Sequence, residues 1–103
     1  MDTLQPVIAP KDAISVGSRY FHEIMADQPT KRILLEGLEY IERQRRWVVT
    51  LGFDSVRKVP LDGIGQMIHQ AATGLPEKFE IVREFRTIHV SARDGSFIKM
   101  ESA

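Results

Sequence analysis

The stretch WVVTLGF (Trp47–Phe53) constrains the fold more than any other, because its large side chains alternate without a break. Trp47, Val49, Leu51 and Phe53 share one parity, and Val48, Thr50 and Gly52 take the other. Successive side chains of a strand point to opposite faces, so the pattern is that of a half-buried antiparallel strand. Such a strand requires neighbours for its backbone and a second layer over its apolar face.

Residues 11–25 supply the layer. At about 100° per residue, Ala13, Ile14, Val16, Tyr20, Phe21, Ile24 and Met25 fall within one half of a helical wheel, leaving Ser15, Ser18, Arg19 and His22 outside. Pro10 at the first turn and Pro29 beyond the end bracket this amphipathic helix, and Pro6 and Pro10 bracket an extended lead-in over residues 1–10.

The neighbouring strands are read next. KRILLEGLEYIER (residues 31–43) alternates but changes phase at Gly37. A β-bulge there would put Ile33, Leu35, Leu38 and Tyr40 on one face. Arg43, Gln44, Arg45 and Arg46 then form a hairpin connection to Trp47. Near the end of the chain, FEIVREFRTIHVSARDGSFIKMES reads as two strands around a loop of Arg93, Asp94 and Gly95. With Gly95 left-handed, Val90 pairs with Ile98 and Ile88 with Met100, whereas a two-residue turn would set Lys99 opposite Val90 on the apolar face. Residues 54–79 are a variable segment. Leu61, Ile64, Ile68, Ala71 and Ala72 have helical spacing before Gly74 and Pro76, but Gly63 and Gly65 weaken that helix by about 1 kcal/mol each.

These readings predict a single α+β domain over residues 1–103. One N-terminal amphipathic helix packs on a four-stranded antiparallel meander, with a short helix or irregular crossover between strands 2 and 3. A chain of 103 residues buries roughly two-thirds of its unfolded surface, enough for one core without staples.

Composition narrows the function. Fourteen basic and fourteen acidic side chains cancel, so no overall field draws nucleic acid or an anionic membrane. The absence of cysteine rules out disulfides, thiolate metal sites and cysteine nucleophiles. The first residues carry an acid and no continuous apolar stretch, and no apolar run approaches the ~20 residues of a membrane span, so a cytoplasmic protein is expected.

No catalytic, cofactor-binding or metal-binding set assembles from the sequence. His22, His69 and His89 lack the spacing of metal ligands and are expected as solvated surface residues. GIGQMI (Gly63–Ile68) resembles half of a dinucleotide fingerprint, but isoleucine replaces the third glycine and no βαβ unit surrounds it. Ser55 does not sit in a nucleophile elbow. Glu36/Glu39 and Glu77/Glu80 are read as solvated pairs.

One basic cluster stands out. Residues 31–60 hold seven Lys/Arg against four Asp/Glu, and Arg43, Arg45, Arg46, Arg57 and Lys58 are the candidate interaction patch. It could contact a few phosphates, with binding that falls steeply with salt. Trp47, however, has core-facing parity, which argues against a base-stacking platform.

DAISVGSRYFHEI, RRWVVTLGF and TIHVSARDGSFIKME together resemble PepSY-like domains. That family combines one helix with antiparallel strands, a tryptophan-led central strand and a closing hairpin with Asp and Gly in its turn. The resemblance implies a binding or inhibitory module, often associated with peptidases, with no catalytic residues to carry over. The chain departs from the family by lacking a signal or anchor and by the long segment between residues 54 and 79.

The leading expectation is a non-enzymatic protein-binding module, or a homo-oligomer using the open sheet face. Val48 beside Val49 and Phe85 near Ile88 give apolar residues of both parities, which would leave an exposed patch without a partner. Two alternatives remain. One is a small-ligand-binding or enzymatic domain with residues 54–79 as a lid; the other is nucleic-acid binding through the Arg43–Arg46 loop.

Overall fold

Pro10 occupies the first turn of α1 (Pro10–Ile24), where its missing N–H has no intrahelical acceptor in any case. Its apolar face then buries Ala13, Gly17 and Phe21. The computed structural model describes residues 7–103; residues 1–6 of the lead-in, Pro6 among them, lie outside the described residues. After α1 come β1 (Lys31–Ile41), a 3-10 turn (Glu42–Gln44), β2 (Arg46–Val59), α2 (Gly63–Thr73), β3 (Lys78–Ser91) and β4 (Phe97–Ser102). The four strands form one antiparallel sheet in the order β1-β2-β3-β4, so the α+β meander is as the sequence predicts.

α1 covers one face of the sheet. Phe21, Val49, Leu51, Phe53, Ile88 and Val90 form the fully buried centre, with Val16, Tyr20, Ile33, Leu38, Trp47 and Met100 packed around them. The alternation at residues 47–53 therefore points where its parity requires. Phe21 meets Phe53 with ring centroids 5.2 Å apart. Trp47 is half-buried at the margin, its ring 5.0 Å from that of Tyr40, and its Nε1 donates to the Ile8 carbonyl at 3.1 Å. The Ile8 N–H donates in turn to the Ala92 carbonyl at 2.7 Å, which ties the lead-in to the end of the sheet.

Local details follow the sequence with adjustments. The ladder of β1 slips beside Gly37 as expected, with a second slip between Lys31 and Leu34. Ile33 and Leu38 reach the core, while Leu35, opposite Leu51, stays 46% exposed. In the closing hairpin Gly95 is left-handed at φ 76° and Ile88 pairs with Met100. Val90, however, pairs with Phe97 and not with Ile98, because the bulge falls one step further along, between His89 and Val90. This puts the Phe97 ring 5.1 Å from Tyr20 of α1.

Residues 54–79 hold the short helix that their spacing predicts, α2, ended by Gly74. The rest of the segment is more regular than expected: β2 continues to Val59, β3 begins at Lys78, and only α2 with its short flanks lies between. Asp62 caps α2 by accepting from the Gly65 N–H, and Gly74, left-handed, closes it by donating to the Gln70 carbonyl. The prolonged strands draw the molecule out to 71 × 20 × 17 Å.

Candidate functional site

The prolonged strands build an arm. β1 begins where Lys31 pairs with Asp54, and β4 ends where Ser102 pairs with Arg86. Beyond these points β2 and β3 continue alone as a two-stranded ribbon, paired from Asp54–Arg83 to Val59–Lys78, with α2 at its tip. α1 does not reach this region; its core contacts end at Phe53.

The two faces of the ribbon differ. On the face turned away from α1, Val56 lies opposite Ile81 and Lys58 opposite Phe79. Ile81 is 74% exposed, and Val56 and Phe79 are more than half exposed. The tip carries further exposed apolar side chains. No residue of α2 is buried, and Ile64, Met67, Ile68 and Leu75 are all more than half exposed. Ile64, Met67, Ile68 and Ala71 follow the i, i+3, i+4, i+7 spacing of a packing face, and α2 carries no charged side chain. α2 is tied to the chain that follows it from its middle, with Gln66 Nε2 donating to the Pro76 carbonyl at 3.2 Å and the His69 ring 2.8 Å from the Glu77 carbonyl. At the root of the arm a cavity of about 290 Å³ is lined by Pro29, Lys31, Arg32, Asp54, Val56 and Ile81.

Charged groups stiffen the root. Above Gly52, Arg83 reaches Asp54 and Glu36, each at 3.2 Å, and donates to the Arg32 carbonyl at 2.7 Å. On the α1 side of the sheet, Glu84 accepts from the Ser55 hydroxyl and pairs with Arg57 at 2.9 Å and Arg86 at 3.4 Å. The Ser55 hydrogen bond, then Arg57, holds the Glu84 carboxyl below its ordinary value against the opposing pull of burial. The Arg86 guanidinium lies over the Phe53 ring, 5.3 Å from its centroid.

The candidate basic patch is divided by this geometry. Arg43 and Arg45 sit beside the 3-10 turn at one end of the sheet, whereas Arg57 and Lys58 stand on the arm. At about 3.3 Å per residue, Arg57 lies about 36 Å along β2 from Arg46, so the five do not form one surface. Four of them, Arg45, Arg46, Arg57 and Lys58, also have partners within the chain. Arg45, left-handed at φ 49°, accepts from the Ala92 N–H at 2.9 Å through its carbonyl. Arg46 belongs to β2 and is half-buried, with Nη1 3.4 Å from His89 Nδ1. Lys58 pairs with Glu77 at 2.9 Å.

His89 corrects the expectation of three solvated histidines. It faces away from α1 as its parity requires, yet only 9% of it is exposed. Arg46 lies on one side of the ring and Glu101 on the other, at 3.1 Å from Nε2, with Lys99 directly opposite in β4. Burial, then Lys99, pushes its pKa down, while Glu101 pulls the other way. Val48, next to it in the ladder, is also buried. The apolar patch expected on the open face is therefore not at Val48; Phe85 and Leu34, both paired with Gly52, do stand exposed on that face, and more exposed apolar side chains lie further along, on the arm.

Among the described residues no three of His, Asp and Glu come together to hold a metal ion, and no helix is long and apolar enough to cross a membrane. No protein-family model matches the chain, and no curated protein or solved structure matches it significantly.

Proposed function

We propose that this chain is a small non-enzymatic protein-binding module that engages its partner through the arm. One observation carries the reading: Val56, Ile64, Met67, Ile68, Leu75, Phe79 and Ile81 are all more than half exposed and lie together on one projecting structure. Apolar side chains scattered singly over a surface need no explanation, but seven gathered on one projection are what a binding surface offers. The charged network at the root holds the arm in position, which limits the ordering cost of binding. The cavity beside Val56 and Ile81 supplies a recess for an apolar anchor from the partner. The likeness to PepSY-like domains points to the same class of role.

The test uses Ile68→Asp and Ile81→Asp, each in the full chain. Both positions are exposed, so the melting temperature should change little. In lysate of the native cell, the wild type should elute in an assembly larger than the monomer, and both variants as the monomer. Identical elution of all three would contradict the reading.

A further inference from the structure

The arm exposes backbone as well as side chains. Along the outer edge of β3, the last bond runs from the Ala103 N–H to the Phe85 carbonyl at 3.2 Å. From Lys78 to Glu84 no strand lies beside that edge among the described residues. A long free edge with apolar side chains is a template for another strand unless something blunts or covers it. α2 does not cover it: residues 77–81 are exposed throughout.

We infer that two copies of this chain join along this edge, antiparallel, with Ile81 on the two-fold axis, so that two four-stranded sheets become one of eight. The inference rests on the protein-binding reading above and names the partner as a second copy.

Two independent features select the register. The first is length. Among the described residues the free edge runs from Lys78, where β3 begins, to Glu84, beyond which Ala103 bonds to Phe85. Its midpoint is Ile81, so only an axis at Ile81 pairs every free position without collision with β4. The second is charge. With the axis at Ile81, Lys78 of each copy faces Glu84 of the other, Phe79 faces Arg83, and Glu80 faces Val82. Moving the axis to Val82 sets Glu80 against Glu84 and Lys78 against Arg86. Moving it to Glu80 sets Glu80 against itself. Like charges directly opposite are destabilising and opposite charges stabilising, so charge returns the register that length requires.

The surroundings agree. An isologous contact suits a surface with no excess of either charge, and α2 has no charged side chain to repel its copy. In this arrangement α2, next to Lys78, arrives beside the end of the other copy's β4. Phe79 and Ile81, both more than half exposed, lie on the joined strand itself.

The absence of cysteine makes the test clean, since Ile81→Cys introduces a single thiol. Opposed Cα atoms of a hydrogen-bonded antiparallel pair lie about 5.5 Å apart, within the roughly 4.4–6.8 Å that a disulfide spans. Purified wild type should sediment as a dimer at tens of micromolar. Ile81→Cys should give a disulfide-linked dimer under mild oxidation, whereas Lys58→Cys, on the other strand, should not. Lys78→Glu should weaken the dimer at least tenfold without lowering the melting temperature. A dimer that Ile81→Cys fails to link and Lys78→Glu fails to weaken would overturn edge pairing. A purified monomer would overturn the inference altogether; if the assembly in lysate persisted, the protein-binding reading would stand without it.

Discussion

Gly17 of α1 rests directly on Val49 of β2: a methyl group built on Gly17 would lie 3.0 Å from both Cβ and Cγ2 of Val49. Val49 is completely buried, with no room to withdraw. The glycine lets the helix approach the sheet closely enough for Phe21 to reach Phe53. Gly17→Ala would gain about 1 kcal/mol of helix propensity but incur about 1–3 kcal/mol of overpacking. A net loss of about 1 kcal/mol is expected in urea denaturation. The double variant with Val49→Ala should show strong coupling, because the smaller side chain removes the clash. Additive effects would mean that the contact does not limit the approach.

Gly95, at φ 76°, closes the hairpin between β3 and β4. The space around it would accept a methyl group, with Val16 Cγ2 at 3.6 Å, so the cost of Gly95→Ala lies in the backbone. About 1 kcal/mol is expected, read as a lower melting temperature. An unchanged melting temperature would reject the left-handed turn.

The environment of His89 makes stability depend on pH. Burial, then Lys99, lowers its pKa below the ordinary 6.5, so the folded chain prefers the neutral ring. The unfolded chain takes up the proton first as the pH falls, and stability is lost with it. The contribution is complete above about pH 6.5 and declines below it, towards the lowered value. Glu84, held below 4.5, adds a second loss starting near pH 4.5. Urea denaturation between pH 5 and 8 should show the first decline, and His89→Gln should flatten it. A decline of equal size in that variant would assign it elsewhere.

Both faces of the arm's root carry ion pairs, and these are only partly shielded from water. Arg83→Met removes the contacts to Asp54, Glu36 and the Arg32 carbonyl together. Such partly exposed pairs each contribute little and are screened by salt, so a small lowering of the melting temperature is expected, diminished at high salt. No change at low salt would show that the network does not hold the arm.

The core was legible because one regular pattern determined it: alternation at Trp47–Phe53 and helical spacing from Ala13 to Met25 each have one solution. Gly17 was missed although the signal was present, since a glycine four residues from both Ala13 and Phe21 marks the same helix face. The burial of His89 was not legible, because it depends on Arg46, Lys99 and Glu101, which arrive from three places in the chain. The arm was half legible. Phe79 and Ile81 in KFEIV alternate as a strand does, but Val56 and Val59 in SVRKV differ in parity, and Arg57 and Lys58 between them read as a charge cluster instead. Once β2 is seen to run straight from Arg46 to Val59, the cluster is necessarily divided.

Amide hydrogen exchange along β3, measured over a hundredfold range of protein concentration, reads the role of the arm without any substitution. Outward amides between Phe79 and Glu84 should exchange slowly at high concentration and approach the rate of open chain on dilution, while those of Ile88 and Val90 stay protected throughout. Rapid exchange of those outward amides at every concentration, in purified protein and in lysate alike, would show that nothing pairs with the arm and would contradict the role assigned to it.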